Sequence, residues 1–87
     1  MIVQAACRIR HSGFCEINVI PLHRHGDIGR ILKEFGYRPG VYEIIEQGFL
    51  DDHGLFYSRH EALKEALRCK QPLIGELKDE LFSENLY

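Results

Sequence analysis

Apolar and polar side chains alternate from the start of this chain. Over residues 2–10, Val3, Ala5, Cys7 and Ile9 fall on one side and Gln4, Arg8 and Arg10 on the other. A period of two predicts a β-strand. His11-Ser12-Gly13 has the composition of a turn, and Cys15, Ile17 and Val19 then alternate with Glu16 and Asn18. Two alternating runs around a short polar turn predict an antiparallel hairpin. Pro21 marks the end of its second strand.

The period then changes. Ile28, Ile31, Leu32 and Phe35 stand at i, i+3, i+4 and i+7, the narrow apolar stripe of a helix over 27–35. Asp27 is its expected N-cap and Gly36 its stop. Arg38-Pro39-Gly40 predicts a turn, and residues 41–50 are rich in β-formers (Val41, Tyr42, Ile44, Ile45, Phe49). Asp52-His53-Gly54 turns the chain, and Leu55-Phe56-Tyr57 returns as a short strand. Ser58 and Glu61 then have the spacing of a capping box, in which each side chain accepts the other residue's backbone N–H. Ala62, Leu63, Ala66 and Leu67 form the inward face of that second helix, with Tyr57 and Ala62 placed as its hydrophobic staple. Pro72 closes it. A short helix near 75–81 and an extended end are expected beyond, with Leu77, Leu81, Phe82, Leu86 and Tyr87 spaced along them.

The order β-β-α-β-β-α-tail predicts an α+β fold, a small antiparallel sheet of about four strands with two helices on one face. Residues 1–87 are read as a single domain, with 73–87 as a C-terminal tail that docks on its own domain or on a neighbouring copy, because it keeps several large apolar side chains.

Composition narrows the classes. A chain of 87 residues has a thin stability margin, and oligomerisation would widen it. The opening residues lack an apolar core of signal-peptide length, and no apolar run approaches the roughly 18–20 residues that span a bilayer, so a cytoplasmic location is expected. Cys7, Cys15 and Cys69 show no CxxC spacing and are expected as buried thiols in a reducing compartment. The net charge of −2 is unevenly distributed: residues 1–40 carry six Lys/Arg against three Asp/Glu, and residues 41–87 five against ten. A basic and an acidic face can serve an anionic ligand or meet each other in an oligomer. The pI near 6.2 and the lack of a dense basic cluster argue against a duplex nucleic-acid partner.

Three constellations carry candidate chemistry. His23-Arg24-His25-Gly26-Asp27 precedes the first helix, with Arg30 one turn further, and these side chains fit an anion. The same loop also reads as a polar segment that merely caps a helix. His23 and His25 have a spacing found in metal sites, but a metal needs further ligands from Asp51, Asp52, His53 or His60, and no metal or other cofactor is expected. Asp51-Asp52-His53 reads as a solvated hairpin turn rather than as an acid/base group. Tyr57-Ser58-Arg59-His60 opens the second helix, where Arg59 and His60 oppose the helix dipole and would be favoured by a bound anion. No nucleophile elbow, phosphate loop or dinucleotide fingerprint is present, so a catalytic role has little support.

The blocks Arg24-His25-Gly26-Asp27-Ile28, QGFLDDHGLFYSRHEAL (47–63) and LFSENLY (81–87), with Ala5-Ala6-x-Arg8 upstream, resemble the pattern of a family of small phage and prophage accessory proteins. That pattern has Gly-Gln after the second helix, where this chain has Lys70-Gln71. The resemblance implies a phage protein that counters a host defence. One such activity is to sequester a small phosphorylated, cyclic-nucleotide-like signal without catalysis. The alternatives are a direct protein inhibitor using its acidic surface and a His/Asp-dependent phosphodiesterase. For the first, the expected ligand-binding residues are Arg24, His25, Arg30, Tyr57, Arg59, His60, Phe82, Asn85 and Tyr87, in a homo-oligomer and away from any membrane.

Overall fold

Strand β1 (Ile2–His11) lies inside the sheet, paired antiparallel with β2 (Ile17–Leu22) on one side and β3 (Tyr42–Asp51) on the other. Strand β4 (Phe56–Ser58) adds to β3, giving the order β2-β1-β3-β4. The computed structural model describes residues 1–11, 17–38 and 40–87. The predicted Ser12-Gly13 turn, Cys15 and Pro39 lie outside the described residues.

Register decides which side chains form the core. Ala5 stands opposite Leu22 and Phe49, and Cys7 opposite Ile20 and Gln47, so these share one face. Helices α1 (Ile28–Glu34) and α2 (Arg59–Arg68) cover that face. Ile28, Leu32, Ala62, Leu63 and Ala66 join Ala5, Cys7, Ile9, Leu22 and Phe49 in one buried cluster. The fold is α+β, a four-stranded antiparallel sheet with both helices on one face. The other face carries the ion pairs Arg8–Glu46 (3.1 Å) and Arg10–Glu43 (2.7 Å). There the Phe56 ring lies across Gly48, with the Arg8 guanidinium 5.6 Å from its centroid.

Several expectations are corrected. Val3 points outward and Ile2 inward, because a bulge between Ile2 and Gln4 adds one residue to β1 and reverses the alternation. A second irregularity falls on β3, where Arg8 faces Glu46 but Ile9 faces Ile44. On β2 the alternating Ile17 and Val19 are exposed, and Ile20 and Leu22 supply the core contacts. Pro21 sits within β2 rather than ending it, which an edge strand tolerates. Phe35 and Leu67 lie at the surface. Cys69 is exposed, whereas Cys7 is buried as expected. Asp27 occupies the N-cap position of α1 without a side-chain cap bond, since its carboxylate accepts the Arg24 N–H (3.3 Å) through a 3₁₀ turn at His25–Asp27.

The expected capping box of α2 is formed: Ser58 Oγ accepts the Glu61 N–H (3.1 Å) and Glu61 accepts the Ser58 N–H (3.3 Å). Both helices close with the same left-handed cap. After α1, Tyr37 N–H reaches Leu32 O and Gly36 N–H reaches Lys33 O, with Gly36 at φ 88°. After α2, Gln71 N–H reaches Ala66 O and Lys70 N–H reaches Leu67 O, with Lys70 at φ 55°. A side chain in that conformation costs about 1 kcal/mol relative to glycine. Lys70→Gly should therefore stabilise the protein by about 1 kcal/mol in urea unfolding, and an unchanged or lower midpoint would contradict the cap reading.

No helix forms at 75–81. A single 3₁₀ turn, Ser83–Asn85, stands further along. Asn85 explains this: its amide donates to Ile74 O (2.8 Å) and Glu76 O (3.2 Å), and its backbone oxygen accepts the Ile74 N–H. The carbonyls that a helix would use are taken by a side chain, and Gly75 adopts φ 75°. Among the described residues no helix is long and apolar enough to cross a membrane.

Candidate functional site

The end of the chain is held against the helix-bearing face by two arginine–aromatic clamps. At the first, the chain leaves β2 at Leu22 and His23 stacks on the Tyr87 ring (centroids 4.4 Å apart, planes 20°). The Arg24 guanidinium lies 5.0 Å from the same ring, and its Nη2 donates to the Tyr87 backbone oxygen. Arg24 Nη1 is buried without an acceptor among the described residues. The Tyr87 hydroxyl accepts the Ala5 N–H (3.4 Å) and donates to the His23 carbonyl (2.5 Å).

At the second clamp, Arg59 leaves the first turn of α2 and lies 5.0 Å from the Phe82 ring. Its guanidinium donates to Leu81 O (3.2 Å) and Gln47 Oε1 (2.7 Å), and Leu81 N–H returns to the Arg59 carbonyl. Leu81 is fully buried between these contacts. The positive charge placed against the dipole of α2 is thus compensated by acceptors of the tail and of β3.

His25 is buried near both clamps. Its Nε2 lies 2.7 Å from Gly48 O, and its ring meets the Phe49 ring edge-on. Burial lowers its pKa from the ordinary 6.5, opposed by the Gly48 hydrogen bond and reinforced by the Arg59 charge. The folded state therefore holds His25 neutral, donating Nε2–H to the carbonyl. Its contribution is complete above pH 6.5, where the unfolded imidazole is neutral too, and falls as pH drops below that value, because only the unfolded state takes up the proton freely. Tm should decline between about pH 7 and 5, and His25→Gln should flatten that decline while lowering Tm at neutral pH. An equal slope in both proteins would contradict the assignment.

The remaining candidates are placed as follows. Asp51 is only 6% exposed rather than solvated. It accepts from His53 N–H, Leu55 N–H (both 2.9 Å) and the Tyr57 hydroxyl (3.0 Å). Burial works against its charge, but those hydrogen bonds prevail and its pKa is lowered. Tyr57 is thereby tied to the hairpin rather than to either clamp. Arg30 pairs with Glu34 on the solvent side of α1 (3.1 Å). His60 is exposed, with Nδ1 3.2 Å from Asp79 O. Asn85 is buried and its Oδ1 accepts the Phe82 N–H (3.0 Å). The structure brings Arg24, His25, Arg59, Phe82, Asn85 and Tyr87 onto the path of the tail. It leaves Arg30 and Tyr57 outside, and His60 meets the tail at the surface through Asp79 O. Burial pushes the Cys7 thiol up to about 11, which makes it a poor nucleophile. Among the described residues no three His, Cys, Asp or Glu side chains converge as metal ligands.

Sequence reading passed over three residues. Gln47 anchors Arg59. Gly48 leaves no space for a side chain. The Gln71 amide pairs with both backbone groups of Ile2 (2.7 and 2.9 Å). The pattern QGF and the retained Gln71 were the available signals, but neither states a role.

A family model, described as phage T4 y16D protein, matches residues 1–87. The chain belongs to this phage protein family. No curated protein and no solved structure matched it. In this member the separated motif blocks meet in space. Arg24 holds Tyr87, His25 holds Gly48, Arg59, anchored on Gln47, holds Leu81 and Phe82, and Asn85 holds Ile74 and Glu76.

Proposed function

We propose that this phage protein is a non-catalytic binding protein that blunts a host defence by capturing a small phosphorylated signal of the cyclic-nucleotide class in the cytoplasm of the infected cell. The observation carrying this reading is Arg24. It already holds one oxygen acceptor, from Tyr87, keeps a buried N–H group without an acceptor among the described residues, and lies on a ring that also stacks with an imidazole. A guanidinium beside a π-face is the pairing that phosphate and base require together. Arg59 on Phe82 repeats it. Capture rather than turnover suits a chain in which Asp51 and His25, the better acid/base candidates, spend their hydrogen bonds on the fold. A chain this small encloses a ligand most readily between copies, so the capturing form is a homo-oligomer.

The test is incubation with cyclic di- and trinucleotides and cyclic ADP-ribose isomers, followed by heat release. Intact ligand recovered from the denatured protein supports capture, and an altered product would make the protein a phosphodiesterase. No thermal shift with any member of the panel would sink both. Arg24→Gln should weaken binding at least tenfold, with a parallel melt to separate ligand loss from tail release. A second reading, direct inhibition of a defence protein, is favoured by the exposed acidic residues Glu76, Asp79, Glu80 and Glu84. Retention of a purified defence protein with no small molecule present would support it.

A further inference from the structure

Phe35 is the most exposed large apolar side chain described, at 69%. It is not on a loose end. The left-handed cap of α1 fixes the backbone on both sides of it, through Phe35 N–H to Ile31 O (3.1 Å) and Tyr37 N–H to Leu32 O (2.9 Å). Tyr37 is braced in turn by two rings, His11 at 5.7 Å and Tyr42 edge-on at 6.4 Å. The sequence places two aromatic residues on either side of a glycine that needs positive φ. The fold sets the Phe35 ring in solvent beside Tyr37, which is half-buried against the core, and the two form an aromatic wall.

Open clefts lie against this wall. One, about 370 Å³, is lined by Phe35, Tyr37, His11, Arg38 and Val41. The other, about 420 Å³, runs along the edge strand β2 and is lined by Asn18, Val19 and Ile20 together with the same Phe35 and Tyr37. Both volumes fall in the range of small-ligand sites. Among their described lining residues there is no carboxylate, and the first cleft holds a guanidinium and an imidazole. The cleft beside the tail has a mixed lining, with Glu76 and Glu84 alongside Lys78 and Phe82. An anion at the Phe35 end therefore meets a cation and no described carboxylate.

We infer that the Phe35–Tyr37 wall is a binding site for the planar heteroaromatic ring of an anionic ligand, a nucleotide, with the ring against the wall and the phosphate toward Arg38. Tyr37, braced by His11 and Tyr42, offers a ring already held in place for stacking, and Phe35 adds apolar area beside it. Asn18 offers an amide donor and acceptor to a base edge in the second cleft. The inference deepens the proposed nucleotide capture by locating a base site away from the Arg24 clamp.

The experiment is a titration of the full chain with adenosine 5′-monophosphate, followed by aromatic and amide NMR shifts, with ribose 5-phosphate and inorganic phosphate as controls. The expected result is a saturable shift of Phe35, Tyr37 and Val41 with the nucleotide and a smaller one, confined to Arg38, with the two controls. Phe35→Ala should weaken the nucleotide at least tenfold with Tm preserved, since the ring is already exposed. Arg38→Gln should weaken all three probes. Shifts confined to Arg24, His23 and Tyr87 would overturn the inference and leave the proposed capture standing. No shift anywhere up to millimolar nucleotide would also overturn it. Shifts at Phe35 that follow protein concentration and ignore the nucleotide would instead make this wall a contact between copies, and overturn it as well.

Discussion

Gln71→Ala should destabilise the protein by about 2–4 kcal/mol, because it strips both backbone groups of a buried residue of their partner. Strand β2 pairs with β1 only from Ala5 to Arg10, so the edge of β1 at Ile2 has no strand beside it. The Gln71 side chain stands in for that strand, accepting the Ile2 N–H at 2.7 Å and donating to the Ile2 carbonyl at 2.9 Å. Ile2 is almost fully buried, so water cannot readily replace the lost amide. Urea unfolding measures the loss, and hydrogen exchange locates it, with Ile2 expected to lose protection well before Cys7. Gln71→Glu keeps an acceptor for the Ile2 N–H but lacks a donor for the carbonyl, and should fall between wild type and alanine. A loss below about 0.5 kcal/mol for alanine would mean that the edge is satisfied in another way.

Gly48→Ala is the second large effect, expected at about 3 kcal/mol or more, at the upper end for overpacking. A Cβ built at Gly48 collides with the Tyr57 carbonyl oxygen and lies 2.5 Å from Phe56 Cζ. The oxygen belongs to the β4 backbone, so relief requires β3 and β4 to separate. The ring could move, but only by leaving its place beneath the Arg8 guanidinium. The carbonyl of Gly48 also accepts from His25, so a shift of β3 would disturb the buried imidazole. Phe56→Ala combined with Gly48→Ala separates the two obstacles. If the ring were the main one, the double variant would recover most of the loss. The close approach of the Tyr57 oxygen predicts that it recovers little. Circular dichroism melts of the single and double variants decide between these outcomes.

These two residues, with Arg24, Arg59, Asn85 and Tyr87, give the motif blocks a physical meaning. A sheet whose central strand outruns its neighbour leaves polar backbone exposed, and an open edge invites pairing with other chains. Here the cap of α2 covers it through Gln71, and the tail covers it through the Tyr87 hydroxyl at Ala5. The residues that looked most like a ligand site are therefore also the residues that close the fold. Any ligand that engages Arg24 must share it with the oxygen of Tyr87. That is why tail release and ligand loss have to be measured separately in the Arg24 variant.

The local elements were legible in the sequence. The capping box at Ser58 and Glu61, the glycine stop at Gly36, the turn at Asp52–Gly54 and the apolar stripe of α1 depend on steps of no more than about four positions, where backbone geometry alone sets the neighbours. The fold class followed from their order. Three kinds of fact were not legible. A bulge at Val3 reverses a perfect alternation, because pairing with β3 rather than hydropathy sets the register. Phe35 continues an apolar stripe yet ends in solvent, because the helix stops beneath it. The tail forms no helix, because a side chain eleven residues away takes the carbonyl of Ile74. The candidate site divides in the same way. Its residue types were evident, but Arg24 meets Tyr87 across 63 positions and Gln71 meets Ile2 across 69. The sequence by itself determined the strands, the helices and their caps, since these follow from spacing. The tertiary structure alone decided which cations are spent on the tail and which aromatic wall remains open, since both depend on contacts between segments that no local pattern encodes.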